Sequence, residues 1–184
     1  MKKINIFLAD LEHNYKIGQQ NTMPYGVGLI ASYAKKIHGS KINVKLFKYP
    51  EKLYEALKKE RCDILGCSTY VWNSNLAHWA CRVAKSKNSK TITVLGGPDF
   101  AKDYDDRLEY FKKNKYIDIR VLLEGEVAFS NILKLVLKHG IDYKDKILSE
   151  KIDGCAYLHK NKKELVQGPT GRIQLLDTIP SPYT

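Results

Sequence analysis

The 184-residue sequence predicts an α/β fold: a doubly wound sheet of five parallel strands with helices on both faces, followed by a C-terminal β-hairpin. Three observations carry this. Short apolar runs alternate with segments whose apolar residues recur every three or four positions, as βα repeats require. Two of those runs end in small and polar residues, Gly66-Cys67-Ser68-Thr69-Tyr70-Val71-Trp72-Asn73 and Leu95-Gly96-Gly97-Pro98-Asp99-Phe100, about one strand-plus-helix repeat apart. From Ile152 the helical period gives way to two short runs flanking a polar turn.

The elements follow in order. Ile4 to Ala9 reads as a buried strand, and Pro24 to His38 as a helix with Val27, Ile30, Ala34 and Ile37 along one face. Ile42 to Lys48 is a second strand, Glu51 to Glu60 a helix opened by Pro50, and Asp63 to Cys67 a third strand, apolar in its middle as in a sheet covered on both faces. A stripe of Leu76, Trp79, Ala80 and Val83 marks the next helix, Thr91 to Leu95 the fourth strand, Asp103 to Lys113 a helix, Ile117 to Leu123 the fifth strand, and Gly125 to His139 the last helix. Ile152 to His159 and Glu164 to Gln167 flank the turn Lys160-Asn161-Lys162-Lys163 and form a hairpin added to the sheet edge or packed beside it. The tail from Leu175, punctuated by Pro180 and Pro182, cannot build a regular element of its own. The expected division is 1–150 for the α/β domain, 151–168 for the hairpin and 169–184 for a linker.

Composition narrows the function classes. A hydrophobic content of 43% supports one core and is short of two full domains. After Met1-Lys2-Lys3 the apolar stretch ends at Asp10, and no later run approaches a bilayer span, so a cytoplasmic, soluble protein is expected. Cys62 and Cys67, at opposite ends of the third strand, should point to opposite faces and not share a metal, and no CxxC or Cys/His spacing indicates zinc or iron-sulfur. The net charge of +11 is spread over the polar faces of the helices rather than gathered with aromatics, which argues for a solvated surface over a nucleic-acid face.

Several sites are weighed against plainer readings. Gly26-Val27-Gly28-Leu29-Ile30-Ala31 carries the letters of a dinucleotide fingerprint, but residues 10–23 separate it from the first strand, and Phe47-Lys48-Tyr49 stands where a ribose-binding acid belongs. Close helix packing explains it better. A phospho-acceptor site would need an acidic pair where only Asp10 fits, and the acidic stretch Asp10-Leu11-Glu12-His13-Asn14 opposes phosphate binding. The long first loop is itself a functional sign. It should lie beside the turn after the third strand, where Ser68 and Thr69 offer hydroxyls, Tyr70 and Trp72 flat faces, and Gly96 and Gly97 remove side chains, suiting a large planar ligand with a trailing polar tail. The plainer reading of Tyr70 and Trp72 is packing at a helix start. Glu124 and Glu126 flank Gly125 at a helix N-terminus, where capping alone could account for one of them.

Taken together, these pieces resemble the N-terminal cobalamin-binding domain of B12-dependent radical SAM enzymes, a Rossmann-like or flavodoxin-like fold. The resemblance runs through Pro24 to Tyr33, Asp63 to Ser68, Tyr70 to Asn73, Gly96-Gly97-Pro98, Glu124-Gly125-Glu126, Gly154-Cys155-Ala156-Tyr157 and Leu176 to Tyr183, nearly the whole chain. It implies base-off cobalamin held by Pro24, Gly26, Ser68, Thr69, Tyr70, Val71, Trp72, Asn73, Gly96, Gly97, Pro98, Glu124, Gly125 and Glu126, with the dimethylbenzimidazole tail near Ser68, Thr69, Gly96 and Gly97. It assigns no catalytic residue to this chain, and implies that the tail leads into a radical SAM domain whose CxxxCxxC cysteines hold a 4Fe-4S cluster beside S-adenosylmethionine. His13 does not match the Asp-x-His-x-x-Gly spacing of cobalt-ligating histidines, so no metal ligand is assigned, and Tyr70, Val71 or Trp72 is expected beneath cobalt. Whole enzymes of this family mostly transfer methyl groups; some cyclise or rearrange. The alternatives are a cobalamin-free scaffold or regulatory module, and a nucleotide- or RNA-binding domain.

Overall fold

The computed structural model describes residues 3–13, 23–161 and 163–183. Strand and helix alternate as β1 (Ile4–Ala9), α1 (Tyr25–His38), β2 (Ile42–Phe47), α2 (Pro50–Lys59), β3 (Ile64–Ser68), α3 (Ser74–Lys87), β4 (Ile92–Gly96), α4 (Tyr104–Lys113), β5 (Ile119–Val121) and α5 (Gly125–His139). A short α6 (Lys144–Ile147) then leads to β6 (Cys155–Leu158) and β7 (Leu165–Gln167). The order across the sheet is β2-β1-β3-β4-β5-β6-β7. β1 to β5 are parallel, and β6 and β7 are antiparallel. The sheet is therefore seven-stranded and mixed rather than five-stranded, because the hairpin continues the edge beyond β5. Most of the expected turn, including Lys160 and Asn161, is seen, whereas Lys162 and residues 14–22 of the first loop lie outside the described residues.

Strand alternation divides the core into two layers. On one face Ile6, Leu8, Ile64 and Val94 meet Val27, Ala31 and Ala34 of α1 and Phe129, Ile132 and Leu133 of α5. On the other, Phe7, Leu65, Cys67 and Leu95 meet Leu53 of α2, Ala77, Ala80 and Cys81 of α3 and Phe111 of α4. The stripe expected on α1 is rotated: Val27, Ala31 and Ala34 are buried, whereas Ile37 is 51% exposed. On α3 the small residues Ala77, Ala80, Cys81 and Ala84 face inward, bringing that helix close to the sheet, with Trp79 at the margin. Cys62 and Cys67 share one layer, contrary to the alternation argument, because Cys62 precedes β3 and does not obey its period.

Two buried carboxylates fasten the amino ends of the strands. Asp63 accepts the Asn5 N–H at 2.8 Å and pairs with Arg61 at 2.6 Å. Asp118 accepts the Thr93 N–H at 2.9 Å, pairs with Lys144 at 3.0 Å and also holds Lys85. Such hydrogen-bonded pairs are costly to break, since the surviving charge stays buried.

After β7 the chain makes one 3-10 turn at Leu176–Thr178 and returns along α1. Ser32 Oγ donates to the Pro180 carbonyl at 2.8 Å, Lys36 to the Thr178 carbonyl at 2.8 Å, and Tyr25 stacks on Tyr183. Gly28 is the point of closest approach: a Cβ there would lie 3.1 Å from Pro182. The glycine-rich start of α1 is thus partly explained by backbone packing, whereas Gly26 meets nothing within 4 Å.

Two histidines join neighbouring helices within each layer. His38 Nε2 lies 2.9 Å from Ser130 Oγ of α5. His78 of α3 bridges the hydroxyls of Tyr116 at 2.9 Å and Tyr110 at 3.1 Å. Burial holds both below the usual histidine range, assisted at His78 by the Arg120 and Arg82 guanidinium groups and at His38 by Lys41, against the raising effect of the Ser130 backbone bond. The unfolded chain takes up these protons near pH 6.5, before the folded chain does. Their contribution to stability should therefore be fully present well above pH 6.5 and fall as pH drops through that value, measured as the urea midpoint; His78→Gln should flatten that slope, and an unchanged slope in this variant would remove His78 as its source.

Candidate functional site

Parallel strand order brings the carboxyl ends of β1, β3, β4 and β5 to one edge, and the order reverses between β1 and β3, the usual ligand position in such sheets. A cleft of about 200 Å3 opens there between α1 and α5. Its floor is Leu8, Gly66 and Val94 of the sheet with Phe129 of α5. Gly26, Val27 and Ile30 of α1 form one wall, and Gly125 and Glu126 of α5 the other. Asp10, Ser68, Tyr70, Gly96, Gly97, Leu123 and Glu124 surround the mouth.

Glycines shape this region, three of them by allowing close packing around it. Gly66 is flanked in register by Leu8 and Val94, and a Cβ on it would come 2.6 Å from Leu8 Cδ2 and 3.5 Å from the Phe129 ring. Gly125 has Ile30 where a Cβ would stand, at 2.7 Å, so α1 and α5 converge there. Gly97 is at φ +113°, and a Cβ would collide with the Thr69 carbonyl oxygen. The requirement at Gly97 is thus one of backbone, and a bulky residue there would distort the turn itself, not merely occupy a ligand's path.

Polar groups around the mouth are mostly committed to one another. Ser68 Oγ donates to Asp10 Oδ1, which also accepts Asn73 Nδ2 at 3.2 Å. Asn73 Oδ1 accepts the Tyr70 N–H at 2.8 Å. Thr69 is fully buried; its N–H and its hydroxyl both donate to the Gly96 carbonyl, at 2.6 and 2.8 Å. From the far face of the sheet Arg120, also fully buried, donates to Thr69 Oγ1 at 2.9 Å and to the carbonyls of Gly97 at 3.2 Å and Asp99 at 2.9 Å. Its guanidinium lies over the Phe100 ring, 4.6 Å from the centroid, and near Tyr110. Burial lowers the Arg120 pKa and pushes the Tyr110 phenol up to about 12.

Glu124 behaves differently. It caps α5 by position but makes no side-chain cap hydrogen bond. One oxygen pairs with Arg172 of the tail at 2.6 Å; the other is buried without a partner among the described residues. A buried acceptor in that condition is a place for a ligand's N–H or O–H. Capping therefore does not account for this residue.

Of the residues expected in the site, the structure brings Gly26, Ser68, Tyr70, Gly96, Gly97, Glu124, Gly125 and Glu126 together around the cleft. Thr69 and Asn73 brace the β3 turn from within. Val71 and Trp72 stand outside it, 86% and 68% exposed, with Trp72 stacked on Tyr70 at 4.7 Å, so Trp72 is not packed into the start of α3. Pro24 precedes α1 and accepts the Gly28 N–H; Pro98 lines an adjoining hollow of about 290 Å3. The exposed His13 lies at the described end of the first loop and donates its Nε2–H to the Trp72 carbonyl at 3.1 Å. Asp10 and Gly66, which the sequence marks as turn chemistry, also line the cleft, whereas Leu8, Val27, Ile30, Val94, Val121, Leu123 and Phe129 look in the sequence like ordinary core or turn positions. The one available signal for these was Gly66, a glycine in the middle of an apolar strand. Leu123 adds a strained backbone: at φ 55° it is the sole non-glycine in the left-handed region among the described residues, and it is 53% exposed. A larger hollow of about 520 Å3, lined by Phe111, Lys112, Lys115 and Lys144, lies at the opposite edge and holds none of the expected residues.

Residues 19–133 match the family described as the B12 binding domain, more than half of the sequence. The chain belongs to that family. It is 32% identical over 123 residues to the cobalamin-dependent radical SAM methyltransferase TokK of Streptomyces tokunonensis, covering 66% of this chain and 16% of that protein. It is 31% identical over 122 residues to the 2-(S-pantetheinyl)-carbapenam-3-carboxylate methyltransferase of Streptantibioticus cattleyicolor, again 16% of the relative's length. Among solved structures, the cobalamin-dependent S-adenosylmethionine radical enzyme OxsB with aqua-cobalamin and S-adenosylmethionine bound superposes with a TM-score of 0.72 over 97% of this B12-binding domain and 24% of that chain, at 15% identity. The likeness to OxsB concerns the fold. Among the described residues no helix is long and apolar enough to cross a membrane.

The turn geometry gives a direct test of the site's architecture. Gly97→Ala in this B12-binding domain should cost about 1–3 kcal/mol of stability by urea unfolding, from the positive φ and the Thr69 carbonyl together; a loss below about 0.5 kcal/mol would show that the turn relaxes freely.

Proposed function

We propose that this domain holds base-off cobalamin at the carboxyl edge of its sheet, as the cofactor-carrying part of a cytoplasmic radical SAM enzyme of the methyl-transferring kind. The observation that carries the reading is the cleft between α1 and α5, open at the strand ends, apolar at its floor and containing one unpartnered buried carboxylate oxygen. A flat aromatic tail suits such a floor, and Glu124 suits a donor on the attached nucleotide or on a corrin amide. The residues present therefore fit the group.

In this reading Gly26 and Gly96 keep side chains out of the tail's path, Gly66 and Gly125 let Leu8 and Ile30 pack close beside it, and Glu124 accepts a hydrogen bond from it. Ser68, Tyr70, Gly97 and Glu126 border its entrance, and Asp10 and Asn73 orient Ser68 and Tyr70. Pro24, Thr69 and Pro98 support the surrounding turns. The stacked Tyr70 and Trp72, with Val71, present an apolar surface toward the face of the corrin, while the His13 Nε2 hydrogen bond to Trp72 leaves that nitrogen committed to backbone. When bound, cobalamin supplies a cobalt centre able to carry a methyl group. The 4Fe-4S cluster and S-adenosylmethionine belong to a following radical SAM domain, reached through residues 169–184. Within the chain, 1–150 forms the cofactor domain and 151–168 the hairpin that extends it.

Titration with hydroxocobalamin followed by gel filtration tests the proposal. The wild-type domain should retain corrinoid with a base-off absorbance spectrum. Gly96→Leu should bind at least tenfold more weakly, about 1.4 kcal/mol, while keeping its far-ultraviolet circular dichroism: a Cβ at Gly96 meets only Val121, at an ordinary 3.6 Å, and residue 96 shares the cleft-facing side of β4 with Val94. Absence of retention by the wild type would favour a cobalamin-free scaffold, and equal affinity in the variant would place the corrinoid elsewhere.

A further inference from the structure

A fully buried arginine with no ion-pair partner needs an explanation, since burying a charge is costly unless other groups satisfy it. Among the described residues no carboxylate lies within ion-pair distance of Arg120. Its charge is met by the Thr69 hydroxyl, two main-chain carbonyls and the faces of Phe100 and Tyr110, with the Asp99 carboxylate acting from beyond ion-pair distance, and its Nε is left without a hydrogen-bond partner. Ordinary core packing would be served as well by an apolar side chain. What an apolar residue could not do is gather acceptors from two separate turns.

Those acceptors define the location of the effect. Thr69 follows β3, and Gly97 and Asp99 follow β4; these two turns carry Tyr70, Gly96 and Gly97 at the cleft. Arg120 sits in β5, opposite Leu95 in the register, on the face away from α1 and α5. It therefore touches the turns from behind and reaches none of the cleft-lining groups except the Gly97 carbonyl. We infer that Arg120 is a positioning residue for the corrinoid site: its guanidinium draws the turns after β3 and β4 together and holds Gly97 at the angle that keeps the mouth of the cleft open. Thr69 is the intermediary, with its hydroxyl accepting from Arg120 while donating to the Gly96 carbonyl. This role rests on the proposed cobalamin function.

The test uses the ligand-free and corrinoid-loaded protein with Arg120→Met, Arg120→Lys and Thr69→Val. The last is nearly isosteric and removes the shared hydroxyl, and far-ultraviolet circular dichroism checks that each variant is folded. In the ligand-free protein, amide hydrogen exchange of residues 69–73 and of Gly97, Asp99 and Phe100 should accelerate at least tenfold in Thr69→Val and Arg120→Met, while the amides of β1 and β2 exchange as in the wild type. Hydroxocobalamin affinity should fall about tenfold in both, with Arg120→Lys recovering part of it by restoring a cation able to reach carbonyl oxygens. Unchanged exchange in the turns overturns the positioning role, whatever the protein binds. Accelerated exchange with affinity within twofold of wild type overturns its relevance to the site. Failure of the wild type to bind hydroxocobalamin overturns the functional reading instead, and leaves the exchange result to decide the role of Arg120 in the turns.

Discussion

The lateral row Leu8, Gly66, Val94 is the constraint on which the site depends. Parallel pairing aligns these three residues side by side on the face covered by α1 and α5. Neighbouring strands are about 4.8 Å apart, so a side chain on the middle strand would ordinarily close the gap between its neighbours. The missing Cβ of Gly66 leaves room that Leu8 takes up, with the Phe129 ring beside it, so the sheet surface stays low and the cleft opens above them. Because Gly125 lets α5 approach Ile30 of α1, the cleft is roofed by two helices that converge above its mouth. A cleft with an apolar floor and a polar rim follows from strand register and two absent side chains.

The two edges of the sheet are fastened by different chemistry. At the amino edge, buried carboxylates take up strand N–H groups and are answered by lysine and arginine. At the carboxyl edge, a buried cation takes up carbonyls and a hydroxyl. In each case the sign of the buried charge matches the main-chain groups the strands leave unpaired there: N–H donors where parallel strands begin, C=O acceptors where they end. The first edge is closed by ion pairs, while the second remains open enough to hold a ligand.

Much of this was legible in the sequence. The ends of β1 and α5 coincide with those expected, because a buried apolar run stopped by Asp10 and a helix opened by glycine and stopped by Gly140 leave little freedom. β5 is shorter than its apolar run, since β6 pairs with it only at Arg120 and Val121. The stripe on α1 was misread at Ile37 because periodicity cannot distinguish a helix face from the margin beside it. Cys62 was misread because the two-residue period was extended beyond the end of β3. The glycine and acidic residues of the cleft stood out as turn chemistry, whereas Val27, Ile30 and Phe129 did not: a residue lining a cavity and one filling a core have the same composition. Arg120 was passed over for a related reason, as an isolated charge in a strand carries no hint of which turns it will reach.

Leu123 gives this surface its outline. The left-handed backbone angle there costs about 1–2 kcal/mol of torsional strain that glycine would not carry. The isobutyl group nevertheless stands half in solvent between the cleft and the adjoining hollow. One side chain thus sets both the local strain and the outline of the rim, and a glycine in its place would relax the backbone while merging the two spaces into one.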